Sequence, residues 1–224
     1  MVRFSVLIPV FNRPDYVRQA IDSVLAQTFK DYEIIAVDDG STDGSFESLR
    51  AVQGIKLERH EKNRGKGAAV VTGLAKATGD VVVIQDADLE YDPKQIPVLV
   101  DPILTGKCDI VYGSRFKGNI AGMTFSHYVG NKILSFFTSL LYGVEVTDMM
   151  TGHKAFRGSV FKELTLESSR FEFELEVTVE ALRKGYSICE IPIPYSKRRF
   201  GEAKIGWADG LKTLLKLLQY RLGF

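Results

Sequence analysis

Short apolar runs alternate with helix-like stretches along the first half of the chain. The runs are rich in valine and isoleucine and cover residues 3–10, 32–39, 55–60, 80–85 and 109–114. Short, nearly continuous apolar runs are typical of strands buried on both faces of a parallel sheet. Between them, residues 15–27, 44–52, 65–77 and 94–106 repeat apolar positions with the period of a helix. This order predicts an α/β fold with a mainly parallel sheet, and the pattern becomes less regular after residue 114.

Two stretches of the second half predict amphipathic helices. Residues 125–141 carry Val129, Ile133, Phe136, Phe137 and Leu140. Residues 197–224 contain seven basic and two acidic residues, with lysines beside an apolar helical face formed by Leu211, Leu214, Leu215, Leu218 and Leu222. Such a face can lie on a membrane surface, although packing against the protein's own core is its commoner use.

Composition and charge narrow the class of protein. The 224 residues are 45% apolar and 25% charged, which predicts one globular domain over residues 1–224. The 29 basic and 28 acidic residues give a net charge of +1, which argues against a nucleic-acid partner. Cys108 and Cys189 have no paired spacing and are expected to be reduced, as in a cytosolic protein. The sequence shows neither a signal-peptide pattern nor an apolar run long enough to span a membrane. We therefore expect neither a signal peptide nor a transmembrane helix.

Polar clusters follow four of the predicted strands. They read "PVFNRPD", "VDDGSTDGS", "QDADLE" and "YGSR". Each cluster alone could be a turn, because aspartate, glycine, serine and threonine are common turn residues. In a parallel sheet, however, the carboxyl ends of the strands line the ligand crevice. Four polar ends together therefore predict a binding site at this edge.

The familiar phosphate and calcium motifs do not fit. Val70 stands where a dinucleotide fold needs its third glycine, and no Walker loop is present. The acidic run lacks the glycine and the closing glutamate of an EF-hand. What remains is an alternating set of carboxylates, Asp86, Asp88 and Glu90, behind a buried strand. Mg²⁺ or Mn²⁺ prefers few carboxylates together with ligand phosphates, whereas a solvated acidic loop is the alternative.

Several motifs resemble the family 2 glycosyltransferases of the GT-A fold. In the first half they are "IPVFNRPDYVRQAIDSVLAQTFKDYEIIAVDDGSTDGS", "NRGKGAAVVTGLAKATGDVVVIQDADLEYDP" and "DIVYGSRF". In the second half "TDMMTGHKAFRGSVF", "FEFELEVTVEALRKGYSICEIPIPY" and "RRFGEAKIGWADG" look like the polyprenyl-phosphate hexosyltransferase branch, which includes dolichyl-phosphate mannosyltransferase. The resemblance covers about residues 5–210. It implies a nucleotide-sugar-binding half over residues 1–115 and an acceptor-binding half over residues 116–224.

The resemblance implies a donor site at the strand ends. The positions that match nucleoside contacts of the family are Pro9, Phe11, Arg13, Val37 and Asp39. Phe11 and Arg13 replace the tyrosine and glutamate of the common "PVYNE" motif, so stacking on the base is kept but two polar contacts are lost. Asp86, Ala87, Asp88 and Glu90 match the motif that binds the donor diphosphate. Of the metal ligands expected there, Asp86, Asp88 and Glu90, we expect Asp88 to be the direct one.

The resemblance also implies sites for phosphate and for the reaction. Arg115 and Asp88 match catalytic positions. The positions that match phosphate-binding residues are Arg115, Lys154, Arg198, Arg199 and Lys204, with Lys154 in place of the usual arginine. A phosphate acceptor is already an anion and needs electrostatic binding more than a base. Asp148 is our candidate base for a hydroxyl acceptor, and otherwise orients Lys154 or its loop.

These implications combine into one functional hypothesis. The chain is expected to be an inverting enzyme that uses Mg²⁺ or Mn²⁺ to transfer a hexose to polyprenyl (dolichyl) phosphate. It would work as a peripheral protein on the cytoplasmic face of a membrane. The motifs favour mannose from GDP-mannose. The alternatives are a UDP-glucose-dependent enzyme of the same kind, a transferase acting on a glycan or lipid-linked sugar hydroxyl, and a non-catalytic nucleotide-sugar-binding module.

Overall fold

A computed structural model describes residues 3–87, 90–168, 172–196 and 207–222. The strands in these ranges are β1 (Phe4–Val10), β2 (Tyr32–Asp38), β3 (Ile55–Arg59), β4 (Val81–Ile84), β5 (Ile110–Ser114), β6 (Ile120–Ala121), β7 (Lys154–Arg157), β8 (Ile188–Pro192) and β9 (Tyr195–Ser196). The α-helices are α1 (Pro14–Leu25), α2 (Ser45–Arg50), α3 (Lys66–Leu74), α4 (Ile96–Leu104), α5 (Phe125–Tyr142), α6 (Gly158–Glu163), α7 (Glu172–Arg183) and α8 (Trp207–Leu222). Short 3₁₀ turns cover Pro93–Gln95 and Arg115–Lys117.

A seven-stranded sheet forms the centre of the fold. Its strand order is β3-β2-β1-β4-β7-β5-β8. β7 runs antiparallel to both of its neighbours, and all other pairs in this sheet are parallel. β6 and β9 pair as a separate two-stranded sheet. The predicted α/β class with a mainly parallel sheet is confirmed, and strands from both halves of the sequence contribute to the same sheet.

The apolar strands bury side chains on both faces of the sheet because successive residues of a strand point in opposite directions. Along β1, Leu7 packs into the cluster that includes α3 and α7, whereas Val6 and Ile8 pack into the cluster under α1. A third cluster lies under α4 and includes Leu99 and Val111. Helices therefore cover both faces, and the functional groups are left at the edge where the strands end.

The two predicted amphipathic stretches form α5 and α8, which pack against each other. The leucine face predicted for α8 divides into two parts. Of the predicted leucines, Leu214 and Leu218 are half-buried, whereas Leu211, Leu215 and Leu222 are exposed. The fully buried leucine of this helix is Leu217, which the predicted face did not include. The helix therefore uses one side for the core and leaves a second apolar strip outside.

A buried glutamate, Glu33, links several strands at the end of the sheet away from the polar strand ends. Glu33 accepts hydrogen bonds from Ser5 Oγ at 2.5 Å and from the backbone N–H of Thr78 at 2.6 Å. Lys56 Nζ lies 2.6 Å from its other oxygen, and the Arg3 guanidinium lies 3.8 Å away. Burial works against the charge of Glu33, but these partners lower its pKa from 4.5 to about 2.

We expect this carboxylate to make stability depend on pH. A folded pKa below the unfolded value stabilises the protein above about pH 4.5, and this contribution is lost as the pH falls toward 2. The shift corresponds to about 3 kcal/mol. Urea unfolding of Glu33→Gln between pH 6 and pH 3 should therefore show a flatter dependence than the wild type. Glu58→Gln, at a half-buried carboxylate that pairs with the exposed Lys76, serves as the control and should keep the wild-type slope.

Candidate active site

The loops after β1 and β2 are hydrogen-bonded to each other. Asn12 adopts a left-handed conformation with φ 51°. Its N–H donates to Ser41 Oγ at 3.0 Å, and its side-chain oxygen accepts from the Thr42 N–H at 3.0 Å. The Arg13 N–H donates to Ser45 Oγ at 2.8 Å. Two polar strand ends that are remote in sequence thus form one surface, on which Phe11 and Arg13 are half-buried.

Asp39 holds the loop that leads from β3 into α3. Its carboxylate accepts hydrogen bonds from the N–H groups of Arg64 at 2.9 Å and Gly65 at 2.7 Å. It also lies 2.7 Å from His60 Nδ1. The side chain is almost fully buried. The structure therefore places Asp39 under the predicted nucleoside site, where it shapes the loop.

Close packing of this loop explains the glycine in "VDDGS". Gly40 has φ +72°, and a Cβ there would lie 2.5 Å from the carbonyl carbon of Lys62. Pro9 and Val37 belong to the adjacent strands β1 and β2, where Val37 is buried. The predicted nucleoside residues therefore lie on or beneath one surface at the carboxyl edge of the sheet.

The acidic loop begins directly after β4, which is buried throughout. Asp86 is half-buried, Ala87 is buried, and Glu90 is half-buried. Asp86 Oδ2 accepts a hydrogen bond from Lys66 Nζ at 2.8 Å. Asp88, the expected metal ligand, lies outside the described residues, and within the described ranges no cluster of three His, Cys, Asp or Glu side chains could hold a metal.

Lys66 connects this loop to the interior of α7. Its ammonium donates to Glu174 Oε1 at 3.1 Å as well as to Asp86. Glu174 is buried, and its other oxygen accepts from Lys154. Burial opposes the charge of Lys66, but the carboxylates of Asp86 and Glu174 raise its pKa above the usual value. Burial likewise favours neutral Glu174, but Lys154 and Lys66 hold its pKa below the usual value. The result is a chain of alternating charges ending at the acidic loop.

Lys154, a predicted phosphate-binding residue, lies in the interior of the protein. It is fully buried, and burial lowers its pKa although Glu174 acts in the opposite direction. Its three N–H groups donate to the Met149 carbonyl, the Thr151 carbonyl and Glu174. Because a lysine ammonium has only three donors, none is left for an acceptor phosphate. In this structure Lys154 holds the loop that precedes β7.

Arg115 and Asp148 form a buried, bidentate ion pair. Arg115 Nε donates to Asp148 Oδ2 at 2.7 Å, and Nη2 donates to Oδ1 at 2.6 Å. The Arg115 backbone N–H adds a third bond at 2.9 Å. Glu190 fixes the other side of this loop by accepting from the Asp148 N–H at 2.9 Å. Both oxygens of Asp148 are therefore engaged, and its side chain is buried.

Three predicted phosphate-binding residues, Arg198, Arg199 and Lys204, lie outside the described residues. Conversely, Lys66, Glu174 and Glu190 contact predicted site residues, which the sequence did not predict. A signal was present for two of them. Lys66 opens a helix directly after a polar loop, and Glu174 interrupts the apolar side of a helix in "FEFELEV".

Apolar side chains are exposed on the helices next to the site. We define the apolar helical face as Phe125, Phe136 and Leu140 of α5 with Leu211, Leu215 and Leu222 of α8, each more than half exposed. Among the described residues, no helix combines the length and apolar character required to cross a bilayer. Both helices also pack on the domain, through Leu134 of α5 and Leu217 of α8.

Known proteins with similar sequences and folds cover nearly the whole chain. The UDP-N-acetylglucosamine–dolichyl-phosphate N-acetylglucosaminyltransferase of Methanococcus voltae is 30% identical, over 97% of this chain and 95% of its own. The low-salt glycan biosynthesis hexosyltransferase Agl6 of Haloferax volcanii is 32% identical, over 98% of this chain and 54% of its own.

Solved structures share the fold. Glucosyl-3-phosphoglycerate synthase of Mycobacterium tuberculosis, in complex with Mn²⁺, UDP and phosphoglyceric acid, superposes with a TM-score of 0.79 at 22% identity, over 98% of this chain and 78% of that one. The family "Glycosyl transferase family 2" matches residues 5–165. The predicted family, fold and enzyme class are confirmed. The chain belongs to glycosyltransferase family 2 and is a glycosyltransferase of the GT-A fold.

Proposed function

We propose that this enzyme transfers a sugar from a nucleoside diphosphate donor to a polyprenyl phosphate held in a membrane surface. The observation that carries this proposal is the apolar helical face of α5 and α8. Six exposed Phe and Leu side chains on two helices suit contact with the acyl chains of a membrane. The full-length similarity to a dolichyl-phosphate transferase supports the same acceptor.

The engagement of Asp148 favours a phosphate acceptor over a hydroxyl acceptor. A hydroxyl needs a base, and Asp148 is buried with both oxygens bound by Arg115. A phosphate monoester is already anionic near neutral pH. One of its oxygens can attack the anomeric carbon directly, while the bond from that carbon to the donor β-phosphate breaks. Arg115 is our candidate for holding the acceptor, because its Asp148 contacts use Nε and Nη2 and not Nη1.

The donor site lies between the loops after β1, β2 and β4. The metal prediction fits the residues there: Asp88, with Asp86 and Glu90 beside it, would hold Mg²⁺ or Mn²⁺. Lys66 already offsets the charge of Asp86, which suits an ion that takes few protein carboxylates and completes its shell with phosphate oxygens. When bound, such an ion stabilises the charge on the leaving diphosphate.

We infer a UDP-linked sugar as donor, ahead of the GDP-mannose favoured by the motifs alone. The support is the name of the Methanococcus voltae relative, which uses UDP-N-acetylglucosamine. UDP-glucose is also a UDP-linked sugar, so it remains a candidate donor. The two substituted positions, Phe11 and Arg13, lie where the base and ribose would bind, so they are the residues to examine once the base is known.

A transfer assay tests donor and acceptor together. The protein is incubated with Mn²⁺, liposomes containing polyprenyl phosphate, and in turn UDP-N-acetylglucosamine, UDP-glucose or GDP-mannose. We expect sugar to enter the organic phase with a UDP donor. Liposomes containing the free polyprenol are the matched control. Equal transfer to the polyprenol, or efficient transfer to a soluble glycan, would contradict the phosphate acceptor, and a preference for GDP-mannose would overturn the donor inference.

The membrane contact has its own test in Leu211→Ser/Leu215→Ser. A leucine side chain that moves fully from water into lipid contributes about 1.5–3 kcal/mol to the free energy of membrane binding. The double variant should therefore bind anionic liposomes at least tenfold more weakly. Transfer to a short water-soluble prenyl phosphate should be kept. Leu104→Ser, at an exposed leucine of α4, should bind liposomes like the wild type. Part of the attraction is electrostatic, so added salt should weaken binding.

A further inference from the structure

Gly152 lies against the acidic loop in the segment between α5 and β7. A Cβ at this position would be 2.3 Å from Asp86 Oδ2 and 3.2 Å from Lys66 Nζ. Real Cβ atoms do not approach other atoms as closely as the first of these distances. The Gly152 backbone lies outside the left-handed region, so an alanine would be conformationally allowed there. Space beside Asp86, and not backbone conformation, is what requires glycine.

The backbone around Gly152 is fixed and cannot easily move away. The Gly152 N–H donates to the Tyr91 hydroxyl at 3.2 Å, and Thr151 Oγ1 donates to the Gly113 carbonyl at 2.7 Å. Lys154 adds bonds to the carbonyls of Met149 and Thr151. A methyl group at position 152 would therefore displace the nearby side chains and leave the segment in place.

We propose that Gly152 is a positioning residue for the donor site: its missing side chain leaves the space in which the Asp86 carboxylate meets the Lys66 ammonium. The proposal rests on the proposed function, because it takes Asp86 as part of the donor site. A methyl group there moves the carboxylate out of the 2.8 Å contact with Lys66. The donor then meets a misplaced carboxylate in an otherwise intact fold.

The first measurement is sugar transfer by Gly152→Ala. We expect kcat/KM for the donor to fall at least tenfold. The circular dichroism spectrum of the variant should match that of the folded wild type. Gly130→Ala is the matched control, since a Cβ at that helical position meets nothing within 4 Å. It should keep wild-type transfer. Wild-type transfer by Gly152→Ala would overturn the proposal.

The second measurement asks whether the methyl group acts through Asp86. UDP binding in the presence of Mn²⁺ is measured by calorimetry for the wild type, Gly152→Ala, Asp86→Ala and the double variant. We expect Gly152→Ala to weaken binding at least tenfold in the wild type but less than twofold in the Asp86→Ala background, because coupled positions are not additive. Equal losses in both backgrounds would overturn the proposal, since a general structural defect does not depend on Asp86.

Folding of the variants covers the remaining outcomes. If Gly152→Ala does not fold, a folded Asp86→Ala/Gly152→Ala double variant supports the proposal, and an unfolded one overturns it. If Asp86→Ala transfers sugar like the wild type, the donor-site assignment fails. The melting temperatures of the four proteins then still decide the placement of Gly152, because the methyl group should be tolerated better once the carboxylate is gone.

Discussion

Asp148→Ala is expected to lower the free energy of unfolding by about 3–5 kcal/mol, because it leaves the Arg115 guanidinium buried without its partner. The pair is bidentate, with N–O distances of 2.7 and 2.6 Å, and both side chains are buried. The loop that carries Asp148 also loses the bond to the Arg115 backbone N–H. Urea unfolding measures the change. A loss below 1 kcal/mol would mean that the pair contributes no more than a surface salt bridge.

A double variant separates stability from activity at this pair. Arg115→Met/Asp148→Leu removes both charges and keeps apolar volume, and such exchanges of buried ion pairs are often neutral or stabilising. We expect the stability of this double variant to be near the wild-type value while its sugar transfer is lost, because Arg115 is the candidate ligand of the acceptor phosphate. Recovery of transfer in the double variant would show that the pair is only structural.

Asp88→Ala is expected to reduce sugar transfer by about 10³-fold, since the loss of metal charge stabilisation costs several kcal/mol in the transition state. The fold should be kept, because Asp88 belongs to the polar run "QDADLE" and not to an apolar run of the sequence. UDP should raise the melting temperature of the wild type only when Mn²⁺ or Mg²⁺ is present, and this dependence should disappear in the variant.

The control for Asp88→Ala is Asp101→Ala, at an exposed carboxylate of α4. It should retain wild-type transfer and wild-type dependence on the metal. Full transfer by Asp88→Ala, or full wild-type activity in an excess of chelator, would contradict the metal assignment.

The first half of the fold could be predicted because its strands carry a strong local signal. β1, β2 and β4 are nearly continuous apolar runs that end in polar clusters, and this pattern predicts both the fold class and the edge of the site. β7 gives no such signal. Its four residues "KAFR" begin with a lysine, which is buried only because Glu174 and two carbonyl groups receive it. That pairing depends on tertiary contacts that a local pattern does not contain.

The same limit applies within the site. The sequence predicted that the polar residues at the strand ends would gather, and the loops after β1 and β2 do so through Asn12 and Ser41. The sequence did not predict which charged side chains would pair with one another in the site. Lys66 and Glu174 are 108 positions apart in the chain, yet their contact sets the surroundings of Asp86. Residue type alone did not indicate that Lys154 and Asp39 would be buried and hydrogen-bonded to backbone groups of the protein.

The position of β7 has a consequence for synthesis of the protein on the ribosome. β3, β2, β1 and β4 can pair once the first 84 residues have emerged, but the other edge of β4 is covered only by β7, which begins at Lys154. At about 5–20 residues per second, this edge waits for several seconds. An unpaired strand edge is a template for association with other chains. The nascent chain is therefore most prone to aggregation between the completion of β4 and the arrival of β7, a period in which binding by a chaperone would protect it.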